Sequence, residues 1–204
     1  MAVVCPIGFD TERLKSAVRT TYSDVALNPD GDFHFHRGPD YAARQLGYDS
    51  NELRQLPALA TAPFAGVGNP FKMEPIAPDS SVCDIGSGAG MDCLLAGRRV
   101  GKNGSVVGID MTDAMLERAR RAAAQADMGH VRFEKADIGE LPLDDASIDV
   151  VISNGVINLA PDKAKLFSEL YRVTKPGGRV QFADIVIGKE LSEDARNNID
   201  LWTG

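Results

Sequence analysis

Three glycines at alternate positions, Gly86, Gly88 and Gly90, follow the run Val82-Cys83-Asp84-Ile85, and a second apolar run, 105–109, ends in Asp110. This spacing brings a sharp backbone turn, a helix start and a carboxylate to one place. Glycine lets the chain turn tightly and approach a ligand that a Cβ would hold off. The helix that follows offers unpaired N–H groups. A carboxylate at the tip of the neighbouring strand is placed to hold the two hydroxyls of a ribose. Together these residues would make the first half of a nucleotide-type pocket.

The dinucleotide pattern Gly-x-Gly-x-x-Gly does not fit. The third glycine arrives one position early, and Met91 stands where that pattern has glycine. The shift disfavours a pyrophosphate-bearing nicotinamide cofactor.

Apolar runs at 81–85, 105–109, 131–135, 148–153 and 179–187 predict strands. Helical stretches at about 90–99, 112–126 and 161–173 lie between them. The second has Thr112 or Asp113 as its cap and Arg118, Arg120 and Arg121 on a solvated face. The third ends before the stop signal Lys175-Pro176-Gly177-Gly178. Such alternation predicts an α/β class: a Rossmann-like, open, mainly parallel sheet with helices on both faces. Upstream, 10–24 reads as an amphipathic helix, 27–39 as a loop, and 40–46 and 50–56 as short helices before the Pro/Gly-rich stretch 57–78. Residues 1–79 are thus expected to form a helical and loop cap over the sheet edge, and 80–204 the core.

The 204 residues suit one substantial domain, with 44% apolar and 25% charged residues. No apolar run is long enough to cross a bilayer, and the first residues lack the pattern of a secretory signal, which points to a cytoplasmic address. A net charge of −7 opposes nucleic-acid binding. Cys5, Cys83 and Cys93 form no Cys-x-x-Cys pair, the three histidines are scattered, and no metal site is expected.

The pattern Asp84-x-Gly86-x-Gly88-x-Gly90 resembles the first motif of class I S-adenosylmethionine (SAM)-dependent methyltransferases. The runs 108–116, 150–159 and 170–178 are more specific, and over about 80–190 the chain resembles the arsenite methyltransferase group. The resemblance implies SAM as cofactor and methyl transfer to a small-molecule acceptor. It implies a seven-stranded sheet, of which the sequence holds five strands, so the chain is expected to be a fragment lacking the last two. The exposed edge is otherwise a candidate dimer surface.

By the same resemblance, Gly86, Ser87, Gly88 and Gly90 would pass under the ribose and amino-acid tail, with Asp84 near the ammonium group. Asp110 would hold the ribose, and Met111 would pack on the adenine. Ala136, Asp137 and Ile138 would read the adenine edge. Tyr22 matches a family tyrosine that reaches the cofactor tail, and Asn154 and Asn158 would face the sulfonium or the acceptor. His34 and His36 share one face if extended and, with Asn154, are the catalytic candidates. Family thiols that hold arsenic are missing: Gly155 stands at one such position, and the segment 31–36 has no cysteine at another. Three functions follow: methyl transfer to a small molecule, arsenite methylation with a reduced thiol set, or a non-catalytic SAM-binding or partner-binding module.

Overall fold

The computed structural model describes residues 11–186 and Gly188. Five parallel strands form one sheet: β1 (Ser81–Ile85), β2 (Ser105–Asp110), β3 (Val131–Lys135), β4 (Ile148–Asn154) and β5 (Thr174–Ala183). The helices are α1 (Thr11–Leu27), α2 (Gly38–Tyr41), α3 (Ser50–Arg54), α4 (Ala58–Thr61), α5 (Met91–Val100), α6 (Asp113–Gln125) and α7 (Lys163–Val173). The strand order is β3-β2-β1-β4-β5. The chain therefore runs outward from β1 to one side, returns, and continues from β4 to the other. That reversal opens a crevice at the carboxyl ends of β1 and β4, where open α/β sheets take their ligands.

The central strands β1, β2 and β4 are mostly apolar on both faces because both are covered. Val82, Val106 and Val150 pack with α5, α6 and residues of 42–76 in one cluster. Cys83, Ile85 and Val151 pack with Leu166 and Leu170 of α7 in another. The helix α7 starts where Asp162 accepts the Lys165 N–H at 2.9 Å.

Several boundaries differ from expectation. The last strand begins at Thr174, not 179: Thr174 pairs with Ile148 and Arg179 with Val150, so Lys175–Gly178 bulge out between them. Gly177, at φ +81°, permits that detour. Residues 184–186 lie outside the strand, and 187 lies outside the described residues, as does the expected chain end. A π-helical turn, Ala42–Leu46, continues α2. The Pro/Gly-rich stretch 57–78 contains α4 and a 3₁₀ turn at Pro70–Lys72. The first helix runs on to Leu27 and stops one residue short of Asn28-Pro29, where proline restricts its predecessor.

The N-terminal segment folds over the strand ends and one face as well as an edge. Gln181 Nε2 of β5 donates to the carbonyls of Pro70 (2.9 Å) and Glu74 (3.0 Å). Arg118, expected on a solvated face, instead donates to the carbonyls of Leu59 (3.1 Å) and Ala26 (2.9 Å). It satisfies acceptors at the ends of two helices and so holds α1 and α4 against α6.

Candidate functional site

The switch-point crevice is a cleft of about 1090 Å³ including its open mouth. Its lower wall is the turn between β1 and α5, which is stitched to the next strand. The N–H groups of Gly86 and Ser87 both donate to the Ile109 carbonyl, at 2.8 and 2.9 Å. The Gly88 N–H donates to Asp110 Oδ2 at 2.9 Å, and the Thr112 N–H to Oδ1 at 2.8 Å. The Met111 N–H and the Thr112 side chain also act on this carboxylate, which is therefore held in a fixed orientation at the cleft wall. Burial raises the Asp110 pKa against the pull of those bonds.

The three glycines do different work. Gly86, Gly88 and Gly90 all have positive φ, at +69°, +52° and +88°. A Cβ on Gly86 would meet Val156 Cγ2 at 2.3 Å, and one on Gly90 the Phe133 ring at 2.7 Å. A Cβ on Gly88 would meet no atom within 4 Å. Gly88 therefore borders empty space, and Gly90 serves as the left-handed residue that starts α5 without lining the cleft.

Deeper in the cleft lie two buried carboxylates. Asp84, 3% exposed, accepts from the Cys93 thiol at 3.2 Å. Burial and the neighbouring Asp92 charge hold its pKa well above the usual carboxylate range. Asp92 accepts from the Tyr48 hydroxyl at 2.9 and 3.1 Å and from Asn154 Nδ2 at 3.2 Å. Its pKa is raised to about 6 by burial, which the hydrogen bonds from Asn154 and Tyr48 and the Arg99 charge offset only in part. Among the described residues, no lysine or arginine forms an ion pair with Asp84, Asp92 or Asp110. Lys15 is the one cation on the cleft wall among them, and Asp137 Oδ2 already accepts from it at 2.5 Å. The Gly139 N–H caps the other Asp137 oxygen at 2.9 Å. Burial pushes the Asp137 pKa up, but these hydrogen bonds and the Lys15 charge hold it below the usual range.

Most of the expected cofactor residues meet here: Tyr22, Asp84, Gly86, Ser87, Gly88 and Asp110 all line the cleft, as do Met111, Asp137, Ile138 and Asn154. Burial and then the Asp110 charge push the Tyr22 phenol up to about 12, so it stays protonated. Ala136 does not line the cleft: it packs beneath α7, and its N–H donates to the Asp110 carbonyl at 3.2 Å. The Asn154 amide is committed to the protein. Its Oδ1 accepts from the Val67 and Gly68 N–H groups (2.8 and 3.1 Å), and its Nδ2 donates to Gly68 O, Tyr48 Oη and Asp92. It positions loop 66–68 and has no polar atom to spare for catalysis. His34 and His36 are both exposed, in a stretch that bends at residues 34–35 and is not a strand, and His36 lines a second cavity.

That cavity, about 630 Å³ with its opening, adjoins the cleft and shares Tyr22, Ala65, Gly66, Gly155 and Leu159 with it. Neither described cysteine lines it or the cleft. Both are buried, and burial pushes both thiols up, so neither presents a thiolate. Gly155, where the resemblance implies a thiol, has φ +73° with Val67 Cγ1 3.2 Å from a built Cβ, so a cysteine there would be strained.

Lys15, Tyr48, Gly66 and Asp92 went unread in the sequence. Asp92 alone left a local signal, as an acid in the first turn of the helix after the glycine loop.

Known proteins are similar to this chain in sequence and fold. An arsenite methyltransferase of Halobacterium salinarum is 38% identical over 208 residues, covering 96% of this chain and 53% of the relative. One from Mus musculus is 39% identical, covering 95% and 53%. An arsenic(III) S-adenosylmethionine methyltransferase structure from Chlamydomonas reinhardtii superposes with a TM-score of 0.59 at 40% identity, covering 65% of this chain and 46% of that one. The chain spans about half the length of the curated relatives it matches. The family profile described as Methyltransferase domain matches residues 76–203, the stretch that carries all five strands and the glycine turn, and the chain belongs to that family.

Proposed function

We propose that this chain binds S-adenosylmethionine and forms the methyl-transferring core of an enzyme acting on a small-molecule acceptor. The carrying observation is the charge of the cleft: Asp84, Asp92 and Asp110 line it without an ion-pair partner among the described residues. Buried carboxylates of this kind favour a cationic ligand over a pyrophosphate, which like charge repels.

The residues present fit the cofactor. When bound, it supplies an electrophilic methyl group on a sulfonium. Asp110 lines the cleft as a fixed carboxylate for the ribose hydroxyls, and Gly88 leaves room for close backbone approach. Met111 and Ile138 offer apolar contact for the adenine. Asp92 supplies negative potential for the ammonium and sulfonium groups, and a bound cation would favour the ionised form of Asp84. The protein's contribution is positioning and the exclusion of water, with α1 closing the cleft above.

Calorimetry with S-adenosylhomocysteine (SAH) and with NAD tests this reading. SAH is expected to bind and NAD to fail; preference for NAD, or binding of neither, overturns it. Arsenite as acceptor is a second reading, favoured by what the relatives are named for. Methylated arsenic in a thiol-supplemented assay would establish it, and its absence from a SAH-binding preparation would eliminate it. The exclusion of nucleic acid and the cytoplasmic address stay part of this proposal. Among the described residues no helix is long and apolar enough to cross a membrane.

A further inference from the structure

Resting on the proposed cofactor reading, we infer that the side cavity beyond Gly66 and Gly155 is the acceptor subsite and takes an uncharged, flat aromatic molecule bearing a hydroxyl group. Two observations carry this. The cavity adjoins the cleft, the two sharing Tyr22, Ala65, Gly66, Gly155 and Leu159 as walls, so a molecule seated there lies next to the cofactor cleft. The shared wall depends on glycine: a Cβ at Gly66 would lie 2.4 Å from Asn154 Nδ2, and Gly155 is in the left-handed region.

The second observation is the chemistry of the lining. Phe35, Tyr41 and the His36 imidazole provide ring surfaces, and Val67 and Leu159 an aliphatic wall. The rings are already mutually arranged, with Tyr22 stacked on Phe35 at 6.0 Å and His36 tilted against Tyr41 at 5.4 Å. No aspartate, glutamate, lysine, arginine or cysteine lines the cavity among the described residues. An ionic acceptor would be desolvated there without a partner, and a soft metalloid without a thiolate. Against this apolar lining, Asn158 carries an amide oxygen that is buried and has no hydrogen-bond partner. An unmet buried polar atom is costly in a folded protein, and a turn of the Asn158 side chain would bring it to the polar group of a ligand in the cavity. A phenolic hydroxyl both donates and accepts, so it suits the amide in either orientation. Aromatic faces and one amide thus select a ring with a hydroxyl over either a hydrocarbon or an ion. His36 also lines the cavity and is the group there assigned to take that hydroxyl's proton.

The test uses the full chain saturated with SAH, with 4-methylphenol and toluene as probes in ligand-observed NMR titrations. Wild type is expected to bind 4-methylphenol about fivefold tighter than toluene, the worth of one net hydrogen bond. Asn158→Leu should bring that ratio to about one without changing SAH affinity. Val67→Phe, which fills the cavity, should abolish binding of both probes while SAH still binds. If SAH binds and wild type either ignores both probes or shows no preference for the hydroxyl, the acceptor assignment is wrong and the cofactor reading survives. Retention of the hydroxyl preference in Asn158→Leu also overturns the assignment. Failure of SAH itself to bind removes the cofactor reading and this inference with it.

Discussion

Lys15 Nζ lies 2.5 Å from Asp137 Oδ2, and that ion pair ties the first helix to the loop after β3 across the mouth of the cleft. Leu14, Val18 and Tyr22 of the same helix face inward beneath it. The pair is partly exposed, at 27% and 44% for the two side chains, so its worth is about 0.2–1 kcal/mol. Lys15→Ala should therefore speed amide hydrogen exchange in α1 by up to about fivefold and leave β1 and β2 unchanged. Equal exchange in the variant would show that the latch contributes nothing to closure.

Neighbouring glycines should respond differently to the same substitution. Gly86→Ala drives a Cβ into Val156 at positive φ, so the expected result is a destabilised protein. Gly88→Ala meets no protein atom within 4 Å and carries only the left-handed cost of about 1–2 kcal/mol. Its Cβ would occupy the space proposed for the ligand. Thermal melts should thus show the larger loss for Gly86→Ala. Calorimetry on folded Gly88→Ala should show SAH affinity reduced at least tenfold, and near-wild-type affinity would mean the cofactor does not pass this point.

The Asp92 carboxyl makes stability depend on pH in a defined direction. Burial raises its pKa to about 6 in the folded state, above the ordinary 3.8, so folding favours the protonated form. That contribution is whole below about pH 4 and is lost as pH rises through about 6. Relative to Asp92→Asn, the wild-type protein without ligand should lose melting temperature across this window. The loss is worth about 1.4 kcal/mol per unit of pKa difference. Affinity for cationic SAM should rise over the same range in wild type and stay flat in the variant. Parallel melting curves for the two proteins would contradict the assignment.

Removing the Asn154 amide should loosen the loop that separates cleft from side cavity. Asn154→Ala leaves the Val67 and Gly68 N–H groups without their acceptor and Asp92 without one donor. Each unmet buried group costs about 1–3 kcal/mol, so denaturant unfolding should show a loss in that range or larger. Asn154→Asp keeps the acceptor but sets a third carboxylate beside Asp84 and Asp92, and it should destabilise most above pH 6. A stability change under about 0.5 kcal/mol in both variants would show that the amide is dispensable.

Much of the core was legible because its signals are local. Apolar runs marked β1 to β4 to within one residue, since the central strands are buried on both faces. The glycine spacing with Asp110 located the crevice, and Asp110 does meet the Gly88 backbone. The last strand was misplaced because Lys175–Gly178 reads as a turn, whereas Thr174 already pairs with β4 before the bulge. Asn154 was correctly placed at a strand tip beside the cleft, yet its type alone did not reveal that loop 66–68 consumes both ends of its amide.

The sequence by itself determined the alternation of strands and helices, the family, and the turn on which a ligand would rest, because each is written in neighbouring residues. Tertiary structure alone decided the electrostatics of the cleft and the shape of its side cavity. Tyr48 reaches Asp92 across 44 residues, Asn154 reaches it across 62, and Lys15 reaches Asp137 across 122. Contacts at such separations arise only when packing brings distant segments together, and neither periodicity nor motif spacing encodes them.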